Sequence, residues 1–267
     1  MRPFLLSACL FALAAAPIAA QTDPVARARA LYNQRQFDAA IAAAGEARLV
    51  SARADSADLI AARSYLEKFR ESADTADLES ARERLRGITA GHLSAGERSE
   101  LVVGLGEDLY LDDASGAAAE MFDSLLGAPL NAPNALGLDA RDRVLDWWAS
   151  ALDHEARPRP SAEQQMIYRR IRERMRIELG VTPSSASASY WMAASTLALG
   201  DPQAAWDAAL AGWLRAPLSA PDQGAALRGD LDRLVQRAII PERSKLTAQT
   251  ADACKAEWEA FKDKWAR

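Results

Sequence analysis

Three stretches of this chain repeat one spacing of small and apolar residues. That spacing fixes both the type of element and the way the chain doubles back. Ala28, Leu31, Phe37, Ala40, Ala44 and Ala47 stand 3, 6, 3, 4 and 3 residues apart. Gly106, Leu109, Ser115, Ala118, Phe122 and Leu125 show the same spacing, as do Ala193, Thr196, Pro202, Ala205, Ala209 and Gly212. Steps of three and four keep residues on one helix face. Between them, turns fall at Arg35-Gln36, Asp112-Asp113 and Gly200-Asp201. Small residues such as Ala40, Ala118 and Ala205 let the second helix approach the first. Leu31, Leu109 and Phe122 fill the space beside them. A single hairpin cannot hide its apolar face, so neighbouring hairpins must stack.

Composition agrees with helix throughout. The chain holds 59 alanines against 7 valines and 9 isoleucines, so the best helix former is abundant and the β-branched strand formers are scarce. Breakers and periodicity place helices near 24–34, 37–50, 56–71, 75–88, 95–111, 114–126, 139–153, 161–179, 185–199, 201–215, 222–238 and 247–265. The segment Leu126–Leu138, LGAPLNAPNALGL, is rich in Gly, Pro and Asn. It suggests an N-terminal helical module over 21–126, a linker over 127–138 and a C-terminal helical module over 139–267. One of the three hairpins, 185–215, lies in the latter.

The shared spacing and the phrase Leu199-Gly200-Asp201-Pro202-Gln203-Ala204-Ala205-Trp206 resemble the tetratricopeptide repeat. The first hairpin fits best, since Phe37 and Ala40-Ile41 match the start of the family's second helix. Ser115 and Pro202 stand where that family usually has an aromatic residue, and Leu125 where it has a small one. Ala118 follows Ala40 by 78 residues and Ala205 follows Ala118 by 87. No whole number of units of about 34 residues gives either interval. The resemblance therefore implies an all-α fold of helix hairpins stacked as a degenerate tetratricopeptide-like superhelix or α-α solenoid. Its packing residues would be those of the three series, Gly200 being placed at a turn. A surface for binding polypeptides, with no cofactor, is the function such a fold implies.

The first twenty residues predict export. Arg2 supplies a positive start, Phe4 to Ala16 an apolar run, and Pro17, Ala19 and Ala20 a small-residue exit. This is the order of a secretory signal, with cleavage expected after Ala20. The run is shorter than the roughly 20 residues a membrane helix needs, and no later stretch approaches that length. Leu6-Ser7-Ala8-Cys9 matches a short lipoprotein motif, but the apolar run continues well past Cys9, so a soluble product is expected rather than a lipid anchor. In a double-membraned bacterium its place would be the periplasm; otherwise it would be secreted. The formal charge of −5 becomes more negative when Arg2 is removed, which opposes general attraction to nucleic acid. Cys254 would then be the remaining cysteine, and its spacing with Ala251, Trp258, Phe261 and Trp265 assigns it to an apolar face.

Catalytic patterns are weak. His92 and His154 each lie in a polar break, without a second ligand at metal spacing, so no metal or cofactor is expected. Gly104-Leu105-Gly106 lacks the third glycine of a dinucleotide loop, where Leu109 stands instead. Asp112-Asp113 coincide with a turn, where aspartate caps helices. Two surfaces remain as binding candidates. Arg169, Arg170 and Arg174 lie on the helix over 161–179, whose Met166, Ile167, Ile171, Met175 and Leu179 can face the core. Trp148, Trp191 and Trp206 belong to a Trp-rich C-terminal half. Because Trp147 and Trp148 are adjacent, they cannot point the same way. The expected function is a non-catalytic protein-interaction or envelope-assembly adaptor. Glycan or lipid binding at the tryptophans is the alternative, and an enzyme of unfamiliar type comes third.

Overall fold

The computed structural model describes residues 23–265, and every regular element among them is helical. In chain order these are α1 (Pro24–Asn33), α2 (Phe37–Arg48), α3 (Ala54–Ser72), α4 (Thr75–Gly87), α5 (Ala95–Leu111) and α6 (Ser115–Leu126). There follow α7 (Leu138–Ala156), α8 (Ser161–Val181), α9 (Ala186–Ala198), α10 (Pro202–Arg215), α11 (Pro221–Leu234), α12 (Ile240–Leu246) and α13 (Ala251–Lys264). Helices pack in sequential antiparallel pairs, consistent with a helical-repeat arrangement. Alternate helices also touch, α1 on α3, α3 on α5, α7 on α9 and α9 on α11. The odd-numbered helices thus form an inner layer in two runs, α1–α3–α5 and α7–α9–α11, and α2, α4, α6, α8 and α10 an outer one. The expected signal segment, with Cys9, lies outside the described residues.

The three hairpins of like spacing close with the same turn. Arg35, Asp113 and Gly200 are left-handed, with φ of 59°, 57° and 84°. Each stands two residues before the helix that follows. In each, the next N–H reaches back five residues: Gln36 to the carbonyl of Leu31, Ala114 to Leu109 and Asp201 to Thr196. The left-handed residue itself donates to the carbonyl three back, on Tyr32, Tyr110 and Leu197. This paired pattern is a Schellman cap, which satisfies carbonyls left over at a helix end. The hairpin of α3 and α4 turns at Ala73, φ 56°, with a single bond to the carbonyl of Phe69.

The core is laid down between adjacent helices. Ala28, Ala40, Ala44 and Ala47 bury their methyl groups where α1 meets α2, while Phe37 is buried and Leu31 half-buried beside them. Further on, one apolar cluster runs from Val103 on α5 through Trp148 on α7 to Trp191 on α9. The next gathers Trp206, Leu231 and Trp258, with Cys254 buried among them. Truncating Trp148 or Trp206 to alanine would cost about 3–5 kcal/mol. The Gly- and Pro-rich segment 127–137 joins α6 to α7, and those two helices pack directly on each other. Beside it, Arg141 makes a two-pronged ion pair with Glu178, both contacts at 2.9 Å, and donates to the carbonyl of Leu126 at 3.0 Å.

One helix departs from the expected bounds. Val235–Ile239 form a π turn in which the N–H of Ile240 bonds to the carbonyl of Val235, so α11 continues into α12 without a break. Pro241 predicts a stop near 238, because proline lacks an N–H and its ring crowds the carbonyl four residues back. The wider turn relieves that crowding and lets the rod run on to Leu246.

Candidate functional site

The odd-numbered helices line three recesses in succession. The first, of about 140 Å³, is walled by Arg29 and Tyr32 of α1, Arg63 of α3, Glu100 and Val103 of α5, and Arg143 and Trp147 of α7. The second, of about 220 Å³, lies between Arg70, Glu107, Tyr110, Asp146, Trp147 and Ser150, backed by Phe122 of α6. In the third, of about 430 Å³, Asp146 and Ser150 face Ser187, Tyr190 and Trp191 of α9, with Gln223 and Asp230 of α11. Trp147 is shared by the first and second recesses, Asp146 and Ser150 by the second and third. A line of adjacent recesses, which together make a segmented groove, therefore follows the inner layer from α1 to α11.

Its two ends differ in charge. Toward the N terminus, cations and carboxylates alternate: Arg29 bonds to Glu100 at 2.6 Å, and Arg63 stands 3.3 Å from Glu107 while donating to the Tyr32 hydroxyl at 3.0 Å. Arg63 and Glu107 are both buried, 8 % and 4 % exposed. Burial pushes the Glu107 carboxyl up to about 7, against the downward pull of Arg63. Burial also raises the Tyr32 phenol. Toward the C terminus, the groove turns acidic and aromatic. Asp146 accepts a hydrogen bond from the Trp191 indole at 2.8 Å, yet burial outweighs that bond and raises its carboxyl. The Tyr190 phenol is raised by burial and by the nearby Asp230. Asp142 is occupied by the hydroxyls of Ser185 and Ser187.

The residues singled out in the sequence divide between the layers. Arg170 bonds to Glu120 at 3.0 Å and Asp123 at 3.2 Å, and Arg174 to Asp123 at 2.8 Å. Both guanidinium groups lie 5.7 Å from the ring centre of Trp148. This pair clamps α8 onto α6 in the outer layer. Arg169, exposed, bonds to Gln165. Trp191 lines the third recess, whereas Trp148 and Trp206 are fully buried, Trp206 with the Arg243 guanidinium 4.2 Å from its ring centre. Of the packing residues, Ala118, Phe122, Ala193, Ala205 and Ala209 are buried, Gly106 lies against the Phe122 ring, and Leu109 is half-buried. His92 meets Asp55 at 2.6 Å and His154 meets Ser115 at 3.2 Å, on separate helix pairs. Among the described residues, no group of three or more His, Cys, Asp or Glu side chains could hold a metal ion, and no helix is long and apolar enough to cross a membrane.

Arg63, Glu107 and Asp146 shape the groove without having been picked out in the sequence, and of the adjacent pair Trp147 and Trp148 it is Trp147, not the Trp148 named as a binding candidate, that lines it. Trp147 was recoverable: Leu145, Trp148 and Leu152 step by three and four along the buried side of α7, which leaves Trp147 on another face. The buried charges carried no such local signal.

Fold and groove define an all-α protein of stacked helix pairs with a recessed inner face. No protein-family model matches the chain, and neither does any curated protein or solved structure in the comparisons made.

Proposed function

We propose that this is an exported, non-catalytic adaptor that holds an extended segment of another polypeptide in its inner groove. One observation carries the reading: three recesses, joined by shared side chains, run across successive helix pairs. A groove of that length suits an extended chain, and helical-repeat proteins use such faces for recognition without a cofactor. The common Schellman turns and small-residue contacts support reading the hairpins as degenerate tetratricopeptide repeats. Burial of Trp148 and Trp206 leaves Trp191 alone of the three singled-out tryptophans open to stack on a sugar, which weighs for a polypeptide over a glycan or lipid. The N-terminal signal pattern supports export, to the periplasm where the source has two membranes.

A photo-cross-linking residue placed at Ser150 in the groove should capture a defined partner in the source organism. The same residue at Ile177, exposed on the outer layer, should not. Equal capture at the two positions, or none at Ser150, would sink the reading.

A further inference from the structure

The middle recess contains a buried carboxylate that receives no hydrogen bond. Glu107 is 4 % exposed, and neither of its oxygens accepts from any group among the described residues. Arg63 Nε, itself without a hydrogen-bond partner, stands 3.3 Å from Oε2 as an ion pair out of hydrogen-bond alignment, while Oε1 has only Arg70 Nη1, at 3.9 Å. Arg63 donates to Tyr32, and Arg70 to Glu67 at 3.2 Å. Buried polar groups normally find partners, so an orphaned carboxylate facing an open recess asks for a donor from outside.

The rest of the recess restricts what that donor is. Tyr110, Phe122 and Trp147 wall it with aromatic rings, and Asp146 adds a second carboxylate. Aromatic faces attract organic cations, and a desolvated carboxylate bonds them strongly. Arg70 already displays the geometry, with its guanidinium 5.2 Å from the Trp147 ring centre. Being 42 % exposed, it can swing aside toward solvent. We propose that the middle recess takes the cationic head of a lysine side chain from the bound polypeptide, seated between Glu107 and Trp147 with its alkyl stem along the aromatic wall. This rests on the polypeptide reading of the groove and adds the residue type it selects.

Proton linkage follows from the surroundings. Arg63, Glu67 and Arg70 of α3, Tyr32 of α1, Tyr110 of α5, and Arg143 and Asp146 of α7 are the charged and titratable groups around Glu107. Burial keeps its proton on up to about 7, and a seated ammonium must displace that proton. Affinity should therefore rise about tenfold from pH 6 to pH 8.

The test uses the chain with ¹⁵N-labelled tryptophan, following the Trp147 indole resonance by NMR. Three compounds are titrated: an acetylated, amidated alanine pentapeptide with lysine at its centre, its norleucine counterpart, and cadaverine. The lysine peptide should shift the resonance saturably and the norleucine peptide should not. Glu107→Gln should weaken the lysine peptide at least tenfold, and Arg70→Gln, which removes the competing cation, should strengthen it severalfold. Equal binding of the norleucine peptide overturns the proposal while leaving the groove reading intact. Binding of cadaverine alone overturns the polypeptide source, and counts against the groove reading if the Ser150 cross-link also fails. Should Glu107→Gln not fold, the Arg70→Gln effect and the pH dependence of the unaltered chain decide the matter: absence of both overturns it.

Discussion

Gly106 and Phe122 meet where α5 crosses α6, so closely that a Cβ at position 106 would stand 2.5 Å from the ring. Phe122 is wholly buried, so its ring can give way only by shifting toward the second recess, which it backs, and off its packed position. Gly106→Ala should therefore destabilise the fold by about 1–3 kcal/mol, despite alanine's better helix propensity. Urea denaturation measures this. The same substitution in a Phe122→Leu background should cost less, because the smaller side chain yields the room.

Left-handed turns make an opposite pair of predictions. Ala73 holds φ 56° with a Cβ that this region disfavours, so Ala73→Gly should gain about 0.5–1 kcal/mol. Gly200 holds φ 84° with no neighbouring atom near its would-be Cβ, so only the backbone is at issue there. Gly200→Ala should lose about 1 kcal/mol. Paired thermal melts of the two variants against the unaltered chain should move in opposite directions.

Removing one partner of the Arg141–Glu178 pair should be costly. Both side chains are nearly buried, at 11 % and 5 % exposure, and Arg141 also serves the carbonyl of Leu126 at the end of α6. Arg141→Met should destabilise by about 3–5 kcal/mol, because it strands the Glu178 carboxylate in the interior. Arg141→Met with Glu178→Leu should recover part of that loss in the same denaturation assay.

Glu107 should leave a mark on stability as a function of pH. In the unfolded chain its carboxyl loses a proton near the ordinary glutamate value of 4.5, and in the fold burial holds the proton to about 7. The folded form thus binds more protons across that interval, and its contribution to stability falls as pH rises from about 4.5 to about 7, then levels off. Urea midpoints measured at pH 5 and pH 7.5 should show a smaller decline in Glu107→Gln than in the unaltered chain.

The sequence exposed the local elements well and the long-range ones poorly. Helix positions followed from alanine content and breakers, and the turns at Arg35, Asp113 and Gly200 followed from a spacing that a Schellman cap imposes on its flanks. These features are written within a dozen residues. The helix expected to end near 238 runs on because a π turn, invisible in residue types, carries it past Pro241. Arg63 and Glu107 were illegible for another reason: each looks like an ordinary solvated charge in its own helix, and only the meeting of α3 with α5 buries them. Arg170 and Arg174 suggested an open basic face, but Glu120 and Asp123, which meet them, come from a helix far back in the chain.

Because each helix packs chiefly on its immediate predecessors and successors, folding this chain requires closing only short loops. Assembly can begin at more than one hairpin and spread by accretion, which favours a fast search. The same linearity makes damage local. A lesion in α1 or α2 strips one end of the stack, and amide exchange would report fraying there while α7 and α9, gripped from both sides, stay closed.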